Sequence, residues 1–170
     1  MDVSEVIKNR RSIRSFKPEP IPEESLRKIL ETARLAPSAN NAQNWKFIVV
    51  RDAEKKKELA ESARQDFIAK APIVIALVSL KPDDVMSCDV PTYAVDLAIA
   101  GSYMVLQAWE EGLGTCWIGA FSQKEVKKIL GVPENCKVVT MLPFGFPAES
   151  PLPRPRKKLE EIVSYEQFKE

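Results

Sequence analysis

A helix with no polar side has to be enclosed, and one segment of this chain imposes that demand. Thr92 opens a proline-free run that reaches Glu111, and between Tyr93 and Trp109 its only charged side chain is Asp96. Apolar residues recur around its whole circumference, so it reads as the longest helix of the chain, buried on most sides. With 170 residues in total, the chain has room for one core of ordinary size. That leaves little protein to surround such a helix, and the pattern predicts a helix-mediated dimer interface.

The remaining elements follow from periodicity and punctuation. Asp2 caps a short helix whose apolar positions are Val3, Val6 and Ile7. A polar, basic stretch covers residues 9–17, and Pro18, Pro20 and Pro22 mark an extended connector. Leu26, Ile29, Leu30 and Ala33 predict a helix over residues 23–36, stopped by Pro37. A loop at 38–44 leads into a strand at 45–51, and Asp52 caps a third helix running to about residue 70. Residues 72–80 form an unbroken apolar strand, the signature of burial on both faces. A polar loop covers residues 81–91; no lid-sized insertion is present, and this loop alone is long enough to consider as one. Beyond the apolar helix, Gly112 and Gly114 break the chain before a strand-like segment at 115–121. Ser122 then caps a short helix that Gly131 and Pro133 terminate, and residues 137–146 form the last strand. Pro151, Pro153 and Pro155 keep the tail extended. About five helices and four strands make one α+β domain over residues 1–170.

Composition excludes several chemistries. The chain has no histidine, which removes Ser-His-Asp triads, Cys-His dyads and histidine acid–base catalysis. Cys88, Cys116 and Cys136 are far apart and form no C-x-x-C pair, so neither a disulfide framework nor a metal site is expected. Lys plus Arg number 25 against 24 Asp plus Glu, which gives no general reason for nucleic-acid or membrane binding. The start is polar and the longest apolar run is interrupted by Asp96, so a cytoplasmic location is expected.

Four clusters could carry chemistry. Arg10-Arg11-Ser12-Ile13-Arg14 places three guanidiniums and a hydroxyl within five residues, a donor set that suits phosphate oxygens. Pro37-Ser38-Ala39-Asn40-Asn41-Ala42-Gln43-Asn44-Trp45 is rich in amides, which both donate and accept hydrogen bonds. Gly112-Leu113-Gly114-Thr115-Cys116-Trp117-Ile118-Gly119 has neither the spacing of a Rossmann fingerprint nor the Gly-Lys-Ser/Thr of a Walker loop. In Pro153-Arg154-Pro155-Arg156-Lys157, an extended backbone lets alternate arginines face one way. Taken singly, each also reads blandly: a solvated basic turn, an Asn-rich connector, a glycine-entered strand, a solvated tail.

In this order the four resemble the nitroreductase family of flavoproteins, over nearly the full chain. That family opens with Arg-Arg/His-Ser-x-Arg/Lys and continues with a Pro-Ser-x-x-Asn-x-Gln-Pro-Trp loop. A Gly-Leu-Gly-x-x-Trp-Ile-Gly segment follows a long central helix, and a basic pair lies near the C-terminus. One departure is Asn44, which stands where the family usually has Pro.

The resemblance implies a central, mostly antiparallel sheet flanked by helices in an intertwined homodimer, with residues 147–170 as an arm packed on the dimer. It implies two FMN sites between the subunits. Arg10, Arg11, Ser12 and Arg14 would come from one chain, Arg10 at the phosphate and Arg14 at the N1/O2 edge of the ring. Arg154 and Arg156 would add charge at the phosphate. Pro37, Ser38, Ala39, Asn40, Asn41 and Gln43 would come from the other chain. Ile118 and Gly119 would pass beside the ring, and Gln65 would lie near it. The implied activity is ping-pong transfer of a hydride from NADH or NADPH, through FMN N5, to a nitroaromatic, a quinone or a similar small acceptor. No catalytic side chain is named, because the hydride chemistry belongs to the cofactor. Oxygen-activating or dehalogenating flavin chemistry, and a flavin-binding module without turnover, stay open as alternatives.

Overall fold

The structure is a computed structural model and describes residues 2–169. Its helices are α1 (Val3–Asn9), α2 (Glu23–Arg34), α3 (Ala53–Ala63), α4 (Phe67–Lys70), α5 (Thr92–Glu110) and α6 (Gln123–Leu130). Its strands are β1 (Trp45–Val50), β2 (Ile73–Ser79), β3 (Gly114–Thr115) and β4 (Lys137–Gly145). Single 3-10 turns cover Ala39–Asn41 and Leu159–Glu161. The strands form one sheet in the order β1-β2-β4-β3, antiparallel at every step.

Strand β2 sets the layering. All seven of its residues are buried, and the two-residue period of a strand sends them to opposite sides. Ile73, Ile75 and Leu77 join Leu142 and Phe144 of β4 beneath α2 and α5, where Leu26, Ile29, Leu97 and Met104 complete the packing. Val74, Ala76 and Val78 join Val138 and Met141 against α3 and α6, with Leu59, Ala63 and Val126. Each large side chain so enclosed contributes about 1.5–3 kcal/mol. Helices on both faces explain why residues 72–80 show no polar alternation.

Two elements depart from the sequence expectation. The helix expected over 52–70 is two helices, because Arg64 adopts a left-handed conformation (φ 52°) that ends α3. The Arg64 and Gln65 N–H groups bond back to Glu61 O and Ala60 O at 3.0 Å each. These bonds offset the left-handed backbone, which costs about 1–2 kcal/mol. The turn lets α4 bury Ile68 separately. Of the expected strand at 115–121, only the start is paired: Gly114 and Thr115 meet Gly145 and Phe144. The ladder resumes as a single bridge between Ile118 and Met141. Between the two, the chain turns Trp117 outward to 43% exposure.

The N-terminal segment continues the sheet edge. Ser12 bridges Thr115 in parallel, Phe16 bridges Pro147, and Lys17 N–H donates to Phe146 O at 2.9 Å. Gly114 permits the close approach, since a Cβ there would overlap Ile13.

Helix α5 packs Leu97, Ala100, Met104 and Ala108 inward, yet its outer side is not polar. Val95 and Tyr103 are 37% and 41% exposed, and Val3 and Ile7 of α1 are exposed as well. Among the described residues no helix is long and apolar enough to cross a membrane.

Candidate functional site

The fold brings the two basic clusters into one place. Arg10, Arg11, Ser12 and Arg14 line a cleft of about 460 Å³ together with Arg154 and Arg156 of the tail. Its lining carries five guanidiniums and the Lys8 ammonium, with no carboxylate among them. So many like charges repel one another, and an anion seated between them relieves that repulsion.

The juxtaposition depends on pairing between residues 15–17 and 146–148. Ala148 N–H donates to Ser15 O at 2.9 Å. Glu149 Oε1 accepts the backbone N–H of Arg14 and, at 3.1 Å, that of Ser15. The Arg11 guanidinium is already engaged, donating to Lys8 O at 2.9 Å and Arg10 O at 3.0 Å at the end of α1. Arg156 donates to Pro155 O at 3.2 Å. Arg10, Arg14 and Arg154 make no side-chain hydrogen bond among the described residues, so their donors are available.

The amide-rich loop lies elsewhere in the chain. None of residues 37–43 lines the arginine cleft. Asn40, Asn41 and Gln43 all have left-handed backbones, with φ of 53°, 53° and 51°. Asn tolerates this region better than most residues. Inside the loop, Asn41 N–H donates to Ser38 O at 2.9 Å, and Gln43 N–H donates to Ser38 Oγ at 3.1 Å. From outside, Asp96 Oδ1 accepts the Ala39 N–H at 3.0 Å. The side chains of Asn40, Asn41 and Gln43 are exposed.

The glycine-entered segment adjoins the arginines. A second cavity, about 350 Å³, is lined by Arg10, Ser12, Thr115 and Trp117 and by Ser102, Val105 and Leu106 of α5. It therefore shares Arg10 and Ser12 with the cleft. Ile118 is buried and pinned to Met141 by backbone bonds of 3.0 and 3.1 Å. Gly119 is exposed, and a Cβ there would meet nothing within 4 Å. Gln65 is half-buried at the α3–α4 break and lines neither cavity. Burial pushes the Cys116 thiol up, with Arg14 pulling the other way, so it is an inert core thiol.

Sequence reasoning overlooked Asp96 and Glu149 as parts of this arrangement. Asp96 did carry a signal, as the lone charge in an apolar helix. Glu149 carried none, because the backbone groups it grips lie up to 135 residues away.

Comparison with known proteins identifies the family and the fold. The family model described as Nitroreductase family matches residues 7–72 and 61–146. A putative NADH dehydrogenase/NAD(P)H nitroreductase of Methanothermobacter thermautotrophicus is 34% identical over 162 residues, covering 89% of this chain and 80% of that protein. A nitroreductase family protein from Clostridium novyi NT is 36% identical with a TM-score of 0.83, covering 95% of this chain and 91% of the other. The NADPH:FMN oxidoreductase of Vibrio harveyi, solved with NAD+, has a TM-score of 0.91 at 29% identity, over 100% of this chain and 79% of that one. A matched family model across most of the chain, a shared sheet-and-helix architecture and the four motifs in order agree: the chain belongs to the nitroreductase family.

Proposed function

We propose that this chain is an FMN-dependent oxidoreductase that uses NADH or NADPH to reduce a small acceptor such as a nitroaromatic or a quinone. The observation that carries the reading is the arginine cleft. A flavin mononucleotide phosphate is close to a dianion at neutral pH, and planar guanidiniums hold such a group by paired, charge-assisted bonds. Arg10, Ser12, Arg154 and Arg156 supply those donors around one cavity of adequate size.

The other roles follow from position. Arg14 lies on the cleft rim and is assigned to the N1/O2 edge of the ring, where its charge favours electron uptake. Gly119 leaves open space for a planar ring beside the backbone. The 37–43 loop is separated from the cleft within one chain, so a second copy is assigned to supply it. The outward apolar side of α5, with Val95 and Tyr103, is the proposed seam of that homodimer. Residues 147–170 are assigned as an arm on the partner, since Leu159, Ile162, Tyr165 and Phe168 are 64–88% exposed in the single chain.

When bound, FMN supplies the hydride chemistry at its N5. The chain itself binds, orients and neutralises charge, and it needs no dedicated acid or base, consistent with the absence of histidine. The test is spectroscopic. The purified protein is expected to be yellow, with absorbance near roughly 450 nm from bound flavin. NADH or NADPH should bleach it without air, and a nitroaromatic or quinone should restore the colour. A colourless protein that takes up no added FMN refutes the reading. Bleaching without recovery by either acceptor refutes the acceptor class alone.

A further inference from the structure

Asp96 is the one charged side chain in the apolar run of α5, and it is only 6% exposed. A buried carboxylate loses hydration that the interior replaces poorly unless a cation or donors compensate. Among the described residues no salt bridge reaches it. Its position one turn into α5 lies near the positive end of the helix, which favours an anion. Its hydrogen bond goes to the N–H of Ala39, the first residue of the 3-10 turn.

The 38–43 loop around that turn holds three left-handed, non-glycine residues within four positions, Asn40, Asn41 and Gln43. Such conformations cost about 1–2 kcal/mol each and persist only where the surroundings over-determine them. The Ser38 hydroxyl closes the loop on itself. Among the described hydrogen bonds, the one from Asp96 alone ties residues 38–43 to an element other than the loop's own flanks. Replacing Asp96 by an apolar residue of similar volume removes the cost of burying the charge but takes the acceptor from the Ala39 N–H. The two effects oppose each other in stability, whereas the loop loses its tie to α5 either way.

We infer that Asp96 is a positioning residue for the cofactor: it holds the 38–43 loop in the left-handed shape that presents Asn40, Asn41 and Gln43 to the flavin ring. This rests on the flavin reading above. Without Asp96 the loop samples other shapes, and the apparent FMN affinity falls by the fraction of time the binding shape is lost.

The test uses the full chain with Asp96→Leu and Asp96→Asn. Thermal unfolding of the apoprotein, FMN affinity by fluorescence quenching, and amide hydrogen exchange are measured for each. Asp96→Leu is expected to leave the thermal midpoint unchanged or raised, yet to weaken FMN binding about tenfold, as a loop competent a tenth of the time requires. Exchange at Ala39 and Ala42 should accelerate while β2 stays protected. Asp96→Asn keeps an acceptor and should remain within about threefold of the parent affinity. A purely structural residue gives a lower midpoint with unchanged affinity of the folded protein, and that result overturns the inference. So does equal weakening by Asn and Leu. Should the Leu variant fail to fold, Asp96→Ala carries the same expectations for FMN affinity and amide exchange, with a lower midpoint from the cavity it leaves. If the parent protein takes up no FMN, the flavin reading fails by itself. Unchanged exchange at Ala39 in the Leu or Ala variant then overturns the positioning role separately.

Discussion

Replacing Arg10 with Ala probes the site where its parts converge. Arg10 is half-buried and lines both the 460 Å³ cleft and the neighbouring 350 Å³ cavity. Its guanidinium makes no other side-chain hydrogen bond among the described residues, so removing it disturbs little else. Losing one charge-assisted contact to a phosphate costs about 1.5–3 kcal/mol, or roughly a 10- to 150-fold weaker dissociation constant. Riboflavin has the same ring without the phosphate, so its binding should change less than about threefold. Arg11→Ala is the internal control, because that guanidinium is engaged by the Lys8 and Arg10 carbonyls. It should weaken FMN binding by less than about fivefold, since only a screened, non-contacting charge is lost. Fluorescence-quenching titrations of apoprotein with FMN and with riboflavin measure all of these. Equal loss of both ligands in Arg10→Ala would place Arg10 at the ring and refute the phosphate assignment. Full retention of both would remove Arg10 from the site.

Other expectations follow from the same structure. Gly114→Ala drives a methyl into Ile13, itself 1% exposed, and should destabilise the protein by about 1–3 kcal/mol in thermal or urea unfolding. It should also weaken FMN more than a comparable change at exposed Gly131, because Ile13 sits within the arginine segment. Light scattering of the flavin-bound protein at micromolar concentration should report about twice the 19.1 kDa of one chain; a monomer that retains flavin would sink the two-chain site. Deleting residues from 153 onward should lower flavin affinity and dimer stability together. A truncated protein that stays yellow, dimeric and equally heat-resistant would leave the arm without a role.

Legibility of the fold from sequence tracked the range of the interactions involved. Strand β2 and helix α5 announce themselves, because burial on both faces leaves an unbroken apolar run. The stops at Pro37 and Gly131 are equally plain, since they follow from backbone sterics alone. The break at Arg64 was not legible: arginine is an ordinary helix residue, and its left-handed turn is imposed by the need to seat Ile68 in the core. The 115–121 segment looked like a full strand because Cys116 and Ile118 are apolar, but β4 pairs with it only at Thr115 and Ile118. At the candidate site, the arginine clusters and the amide loop were visible as residue types in order. Glu149's grip on residues 14–15 was not, because a carboxylate bound to distant backbone N–H groups leaves no local pattern; Asp96 was visible as a lone charge in an apolar helix, but not its bond to Ala39.

The cleft is also a clock on synthesis. Glu149 grips backbone that left the ribosome 135 residues earlier, and the two arginine clusters meet only after the intervening sheet has closed. Contacts of such separation form late, after the loop entropy between them has been overcome. A nascent chain can therefore bury β2 and both helical layers while still unable to grip an anion. A closed arginine cleft marks a molecule whose last strand is already in place. A lesion near residue 149 would yield a chain that is largely folded yet cofactor-poor, a failure that shows in activity before it shows in solubility.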